Sequence, residues 1–144
     1  MTENLPKNED QLQAKCVTWF NNNYCLKHHS PRSIIFSVPN SAVSNVGFGI
    51  LGKLRELKCS AAVLKAVQFV ISIFGNKMKS TGVLSGVSDL IIIHRSIVYF
   101  CELKTEKGYL SPSQHDFEAR VTENGFQYKI FRSLLEFQEF FVNL

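Results

Sequence analysis

Two short apolar runs in the second half of the chain have the clearest hydrophobic pattern in the sequence. Residues 90–93 follow Asp89, and residues 97–101 lead directly into Glu102, Leu103 and Lys104. Both runs are rich in β-branched and aromatic side chains, which favours strands over helix. Only residues 94–96 separate the runs, so we expect an antiparallel hairpin with a tight turn.

The hairpin brings charged side chains together at one end. Side chains alternate across a strand, so Glu102 and Lys104 leave one face while Leu103 points to the other. Antiparallel pairing places Asp89 beside Glu102. Two carboxylates and an ammonium group at the end of an apolar sheet are costly without charge compensation. Since Mg²⁺ is typically held by one or two carboxylates with waters and phosphates, the pattern predicts a divalent-cation site here.

The remaining hydrophobic pattern predicts an α/β fold. Helical spacing covers residues 9–24, 53–58, 60–79, 111–124 and 133–141, and strand patterns cover residues 34–38 and 126–131. The resulting order predicts a mixed sheet with helices on its faces. The strand at 126–131 should lie parallel to the strand at 97–104. Three glycines within residues 46–52 predict an irregular loop.

Length and composition are those of one domain. The chain has 144 residues, of which 45% are apolar. We therefore expect a single domain, 1–144, with a helical insertion at about 42–81. A net charge of +4 and a pI near 8.9 favour a polyanionic partner. The helix from residue 60 is interrupted by Lys65 and Gln68, so we expect no membrane span.

Cysteines, histidines and the N-terminus add smaller expectations. The four cysteines, at positions 16, 25, 59 and 101, form no C-x-x-C pair. Buried, reduced thiols are therefore expected rather than a zinc site or disulfides. His28 and His29 lie in a polar loop and are expected at the surface. The polar N-terminus lacks the pattern of a secretory signal, which predicts a cytoplasmic protein.

The residues around the predicted site resemble a nuclease signature. The segments are Gly86-Val87-Ser88-Asp89-Leu90, Glu102-Leu103-Lys104, Gly108, Leu110-Ser111 and Gln114. Together they are similar to the D…ExK…Q signature of the PD-(D/E)XK nucleases, and in particular to its VRR-NUC branch of small, free-standing phage and bacterial proteins. The spaced D, E and K alone arise often by chance, and the flanking motifs make the resemblance specific. Ser88 departs from the family, which usually has Pro before the Asp.

The resemblance implies a restriction-endonuclease-like core and specific roles. Asp89, Glu102 and the backbone carbonyl of Leu103 would ligate Mg²⁺ or Mn²⁺. Lys104 would orient or deprotonate the attacking water and stabilise developing charge. Gln114 would help to place water or phosphate. From the residues alone, Gln114 could simply close a capping box with Ser111.

Two further groups of residues have open assignments. Glu9 and Gln13 match an E-x-x-x-Q in the family's first helix, where the Glu reaches toward the metal, although Glu9 alone could be a first-turn acid favoured by the helix dipole. Lys77, Lys79 and Ser80 could contact phosphate. They could equally be solvent-exposed residues at the end of a helix.

The function implied by the resemblance is a metal-dependent, structure-specific DNA endonuclease. Branched DNA such as a Holliday junction is the expected substrate, a homodimer the expected assembly, and the cytoplasm of a bacterial or phage-infected cell the expected location. One alternative is a non-catalytic DNA-binding or assembly module with a nuclease fold. Another is a nuclease for flap or duplex DNA. A sequence-specific restriction nuclease is disfavoured because so short a chain shows no separate target-recognition region.

Overall fold

The computed structural model describes residues 8–38 and 42–144, with side chains from residue 46 onward in the second stretch. The chain forms two compact units. One comprises Met1–Val38 and Gly86–Leu144, and the other is Pro39–Ser85. The helices are α1 (Glu9–Phe20, followed by a π-helical turn, Asn21–Cys25), α2 (Ala42–Glu56), α3 (Ala61–Ser80), α4 (Pro112–Glu123) and α5 (Leu134–Val142), and the strands are β1 (Ile34–Ser37), β2 (Leu90–His94), β3 (Ile97–Leu103) and β4 (Gln127–Phe131).

The four strands form one mixed sheet in the order β1-β2-β3-β4. The β1/β2 and β2/β3 pairs are antiparallel, and β3 and β4 are parallel. The structure therefore confirms the α/β class, the hairpin and the parallel crossover. The hairpin turn is formed by Arg95 and Ser96, both with positive φ, which is the geometry that suits a two-residue connection between twisted strands.

Helices cover both faces of the sheet. On one face, α1 and α5 bury Leu12, Phe20 and Phe137 against residues such as Ile92 and Leu103 of the strands. On the other face, α4 buries a smaller cluster that includes Phe117, Val121 and Tyr128. Alternation along β3 therefore decides which helix each side chain meets, and Glu102 lies on the α4 side with Phe100.

The second unit contains α2 and α3. The prediction of an irregular loop over residues 46–52 is wrong, because α2 runs unbroken through its glycines. A Cβ on Gly47 would lie only 3.0 Å from Cγ2 of Ile71. Glycine at this position therefore permits close approach of the two helices, and tertiary packing overrides the low helix propensity of glycine.

Much apolar surface of this unit is exposed within the described residues. Phe48, Phe69, Val70 and Phe74 are each more than half exposed. By length and composition alone, the 20-residue helix α3 is long and apolar enough to cross a membrane. None of its most apolar stretch is buried within the protein. An apolar helix face without cover is typical of an interface, with either protein or lipid.

Cys16 and Cys101 are buried as predicted, whereas Cys25 and Cys59 are only half-buried. One histidine is also less exposed than predicted. All four cysteines are unpaired, and burial raises the pKa of the Cys16 thiol to about 12. His28 is exposed, but the surface prediction for His29 is wrong. His29 is half-buried, with its ring centroid 6.4 Å from that of Tyr24. It lines a cavity of about 240 Å³ together with Ser33 and His94, whose Oγ and Nδ1 atoms are 2.7 Å apart.

The chain leaves and re-enters the sheet unit at one place. Ser37, the last residue of β1, pairs with Leu90, and the Val38 N–H donates to the Asp89 carbonyl at 3.2 Å. The second unit is therefore inserted between two strands that are already neighbours.

Candidate metal centre

The β2–β3 hairpin brings Asp89 and Glu102 together. Leu90 pairs with Cys101, so the residue before β2 lies opposite Glu102. Asp89 Oδ2 accepts a hydrogen bond of 2.8 Å from the Leu103 N–H. This bond fixes the carboxylate across the end of the hairpin. The strand pattern predicted that Asp89 would lie beside Glu102, and the pairing register agrees.

Glu102 is the most deeply buried charged residue of the site, with a side chain that is 0% exposed. Its Oε1 lies 2.8 Å from Lys104 Nζ and accepts a hydrogen bond from Gln114 Nε2. Its Oε2 makes no hydrogen bond of good geometry with the described residues, although the hydroxyl of Tyr128, also without a hydrogen bond, is close enough to interact with this carboxyl. Burial raises the pKa of this carboxyl to about 7, against the opposing effect of the Lys104 hydrogen bond.

Lys104 is held between acidic side chains. Its side chain is 9% exposed, and Nζ lies 3.8 Å from Glu9 Oε1 in addition to its contact with Glu102. Burial alone would lower the pKa of the ammonium group, but the hydrogen bond to Glu102 and the nearby carboxylates raise it overall. Lys104 is therefore a cation in this arrangement, and α1 contributes Glu9 to the same cluster.

Gln114 joins the start of α4 to the site. Its Oε1 accepts from the Ser111 N–H at 2.8 Å, and the Ser111 side chain accepts from the Gln114 N–H, so the capping box is complete. Its Nε2 remains free to donate to Glu102. The capping role and the site role therefore coexist, because they use different atoms of one amide.

Gly86 allows the turn before Asp89 to lie directly on α4. Its φ is +79°, and a Cβ there would lie 2.2 Å from the Ser113 carbonyl oxygen. No side chain fits between two backbones at that distance. The position of Asp89 relative to Gln114 therefore depends on a glycine at residue 86.

The donor set suits a hard divalent cation. No group of three or more His, Cys, Asp or Glu side chains forms a ready metal cage among residues 8–38 and 42–144. Mg²⁺ does not need one, since one or two carboxylates with waters and phosphates are sufficient. Burial raises the pKa of Asp89 as well, against the hydrogen bond from Leu103. Two carboxylates with raised pKa values, one with an unpartnered buried oxygen, fit a site completed by a cation.

Two residues near this centre were not identified from the sequence. Arg132 follows β4, and its Nη1 donates to the carbonyls of Thr105 at 2.7 Å and Gly108 at 2.9 Å. Tyr128 is buried, and burial together with the charge of Glu102 raises the pKa of its hydroxyl. Alternation along β4 could have indicated the inward side chain of Tyr128, but Arg132 lies in no local pattern.

Two further sets of residues are His115, which follows Gln114 in the sequence, and the predicted phosphate-contacting residues Lys77, Lys79 and Ser80. His115 is mostly exposed and faces Glu118 on its own helix, with 3.6 Å between Nδ1 and Oε2. Lys77, Lys79 and Ser80 form the last turn of α3 in the second unit, where the Ser80 hydroxyl donates to the Lys77 carbonyl. Their contact with phosphate stays a prediction.

Comparison with known proteins supports the fold. No protein-family model matches the chain, and no curated protein matches it. A solved structure named "VRR_NUC domain protein" matches with a TM-score of 0.54 at 17% sequence identity, over 90% of this chain and 80% of that chain. The fold is VRR-NUC-like. At this identity the likeness describes the arrangement of helices and strands, and the chemistry has to be argued from the site.

Proposed function

We propose that this protein is a nuclease that uses Mg²⁺ or Mn²⁺ to hydrolyse phosphodiester bonds in DNA. The observation that carries the proposal is the unpartnered, fully buried Oε2 of Glu102, which lies in a cluster with Asp89 and Lys104. A buried carboxylate oxygen without a partner is costly, and a bound cation would remove that cost. The resemblance of the motif to PD-(D/E)XK nucleases and the VRR-NUC-like fold both support the same assignment.

The metal ligands would be Asp89, Glu102 and the Leu103 carbonyl. Asp89 is oriented by the Leu103 N–H and Glu102 by Lys104 and Gln114, so both carboxylates are held before a cation binds. When bound, the cation supplies a Lewis acid for the phosphate and lowers the pKa of a coordinated water. Glu9 would complete the ligand shell directly or through water.

Lys104 would stabilise negative charge on the phosphate in the transition state. Its ammonium group is held by Glu102 and Glu9, and its pKa is raised in the absence of metal. As an ammonium group beside the carboxylates, Lys104 would act on the phosphate electrostatically. Gln114 would act as a positioning residue, because its amide is occupied by Ser111 on one side and Glu102 on the other.

The expected substrate is branched DNA, with the Holliday junction as the leading case. A four-way junction presents two symmetry-related strands, and a C₂ homodimer presents two identical sites. The exposed apolar side chains of α2 and α3 supply a candidate dimer surface. This proposal places the protein in the cytoplasm of a bacterial or phage-infected cell and not in a membrane.

The dimer surface is testable by charge substitution. Phe69→Glu or Val70→Glu should convert a dimer into a monomer in light scattering, because both side chains are exposed in the described unit. Gln68→Glu adds the same charge at an exposed polar neighbour on α3 and is the matched control. Recovery of the wild-type protein with membranes that only detergent dissolves would contradict the proposal and assign α3 to lipid.

The nuclease proposal is tested with labelled junction, flap, duplex and single-stranded DNA in Mg²⁺, Mn²⁺ or EDTA. The wild type should cut in either metal and not in EDTA. Asp89→Asn keeps the volume and removes the charge, so it should lose cleavage while its unfolding curve stays cooperative. Cleavage by Asp89→Asn, or the absence of cleavage of every substrate by the wild type, would refute the proposal.

A further inference from the structure

The loop after β3 passes directly beside the candidate metal centre. A Cβ on Gly108 would lie 3.2 Å from Lys104 Cδ and 3.3 Å from Glu9 Oε1. The backbone at residue 108 therefore passes close to two side chains of the cluster. Tyr109 is the next residue along the chain.

Arg132 fixes this loop in place. Its Nη1 lies within hydrogen-bond distance of three carbonyl oxygens, those of Thr105 at 2.7 Å, Gly108 at 2.9 Å and Glu106 at 3.2 Å. The Gly108 N–H also donates to the Thr105 carbonyl at 3.0 Å, which closes a turn. A guanidinium group that could bind phosphate is used instead to hold backbone, so the loop has a defined position before any ligand arrives.

Tyr109 projects from the fixed loop into solvent. At 88% exposed, it is the most exposed of the large apolar side chains in the part of the chain that the structure describes. The ring therefore contributes little to holding the loop. Exposed aromatic side chains next to a phosphate-binding site act as platforms on which unpaired bases stack.

We propose that Tyr109 stacks on an unpaired base next to the phosphate that is cleaved. This inference rests on the proposed nuclease function and narrows its substrate class. Bases inside a paired duplex already stack on each other, so the ring is useful only where a strand is unpaired at the cleavage site. The preferred substrate is therefore branched DNA in which a base unpairs at the branch point, as in a flap or a Holliday junction opened at its centre, in preference to continuous duplex.

The test compares Tyr109→Leu with Tyr109→Phe in the Asp89→Asn background, where binding is measured without cleavage. The probes are a flap carrying 2-aminopurine at successive positions around the branch, and the fully paired duplex of the same sequence. Phe126→Leu is the matched control, since Phe126 is an exposed aromatic residue that precedes β4, at the end of the strand remote from Arg132.

We expect Tyr109→Leu to weaken flap binding by roughly 5- to 150-fold, the range of one lost aromatic–base stack. The loss should be at least about fivefold greater for the flap than for the duplex. Quenching of 2-aminopurine at one position should disappear in Tyr109→Leu and persist in Tyr109→Phe and Phe126→Leu.

Equal losses on flap and duplex, or unchanged quenching in Tyr109→Leu, would overturn the stacking inference and leave the nuclease proposal intact. The nuclease proposal has its own readout, which is metal-dependent cleavage by the protein with Asp89 present. If that cleavage is absent but the quenching pattern holds, only the nuclease proposal fails and Tyr109 is part of a binding site. Absence of binding to every probe would overturn both.

Discussion

Replacing Glu102 with Gln should stabilise the metal-free protein above neutral pH. Gln keeps the shape of the side chain and removes its charge. Burial raises the pKa of Glu102 from 4.5 to about 7. At about 1.4 kcal/mol per pKa unit, keeping this carboxylate ionised in the folded state costs about 3 kcal/mol.

The sign of the pH dependence follows from the direction of that shift. The folded protein binds the Glu102 proton more tightly than the unfolded chain does. The destabilising contribution is therefore absent below pH 4.5, grows as the pH rises toward 7, and is complete above that value. Glu102→Gln should match the wild type near pH 4 and exceed it in unfolding free energy by about 3 kcal/mol at pH 8.5.

The assay is urea unfolding in EDTA at several pH values, repeated with Mg²⁺. Metal should reverse the order of stability once its concentration reaches about 1,000 times its dissociation constant, where binding adds about 4.1 kcal/mol to the wild type alone. Lys104→Met is the opposing control. It leaves the Glu102 carboxylate without its 2.8 Å partner, so it should destabilise the metal-free protein at pH 8.5.

A single outcome would refute the reasoning. If Glu102→Gln is less stable than the wild type in EDTA at pH 8.5, the Glu102–Lys104 ion pair compensates its own burial. The buried carboxylate would then give no argument for a cation at this end of the sheet.

Gly86→Ala should lower the unfolding free energy by about 3 kcal/mol and reduce cleavage, because a Cβ there meets the Ser113 backbone at positive φ. Gly125 also has a positive φ, but it has open space around it, so Gly125→Ala should lower the unfolding free energy by only about 1 kcal/mol. Equal losses of unfolding free energy in the two variants would show that the close contact at Gly86 is unimportant. Gln114→Ala should reduce cleavage, because it removes the donor to Glu102. Gln114→Glu keeps the acceptor for the cap and loses only that donor, so it should have little effect on helix stability. If Gln114→Ala cleaves as well as the wild type, Gln114 has no role in the site. The logarithm of the DNA-binding constant should fall linearly with the logarithm of the salt concentration, with a slope of roughly −0.9 per neutralised phosphate. A binding constant that does not change with salt in filter binding would point to a substrate other than DNA.

The sequence predicted the parts of the site that depend on local pattern. Strand alternation predicted Glu102 and Lys104 on one face, and the short turn predicted Asp89 beside them. The register of β2 and β3 agrees with both predictions. The dual use of Gln114 also had a local signal in its capping position. These features depend on neighbours within a few residues.

Contacts between distant segments were not predictable in the same way. Arg132 reaches carbonyls 24 to 27 residues earlier in the chain, and no periodicity encodes such a contact. The glycines of α2 predicted a loop because glycine lowers helix propensity. Their role in letting Ile71 approach Gly47 is visible only when both helices are present.

The closeness of the two junctions of the inserted unit has an evolutionary consequence. Because Val38 hydrogen-bonds to Asp89, the ends of segment 39–85 are joined by the sheet itself, whatever lies between them. The entropic cost of closing a connection grows only slowly with its length, by about 0.6 kcal/mol per doubling for a flexible loop. Descendants of this chain could therefore shorten, lengthen or exchange the segment as a unit and acquire new partners, while the residues of the candidate metal centre are inherited unchanged.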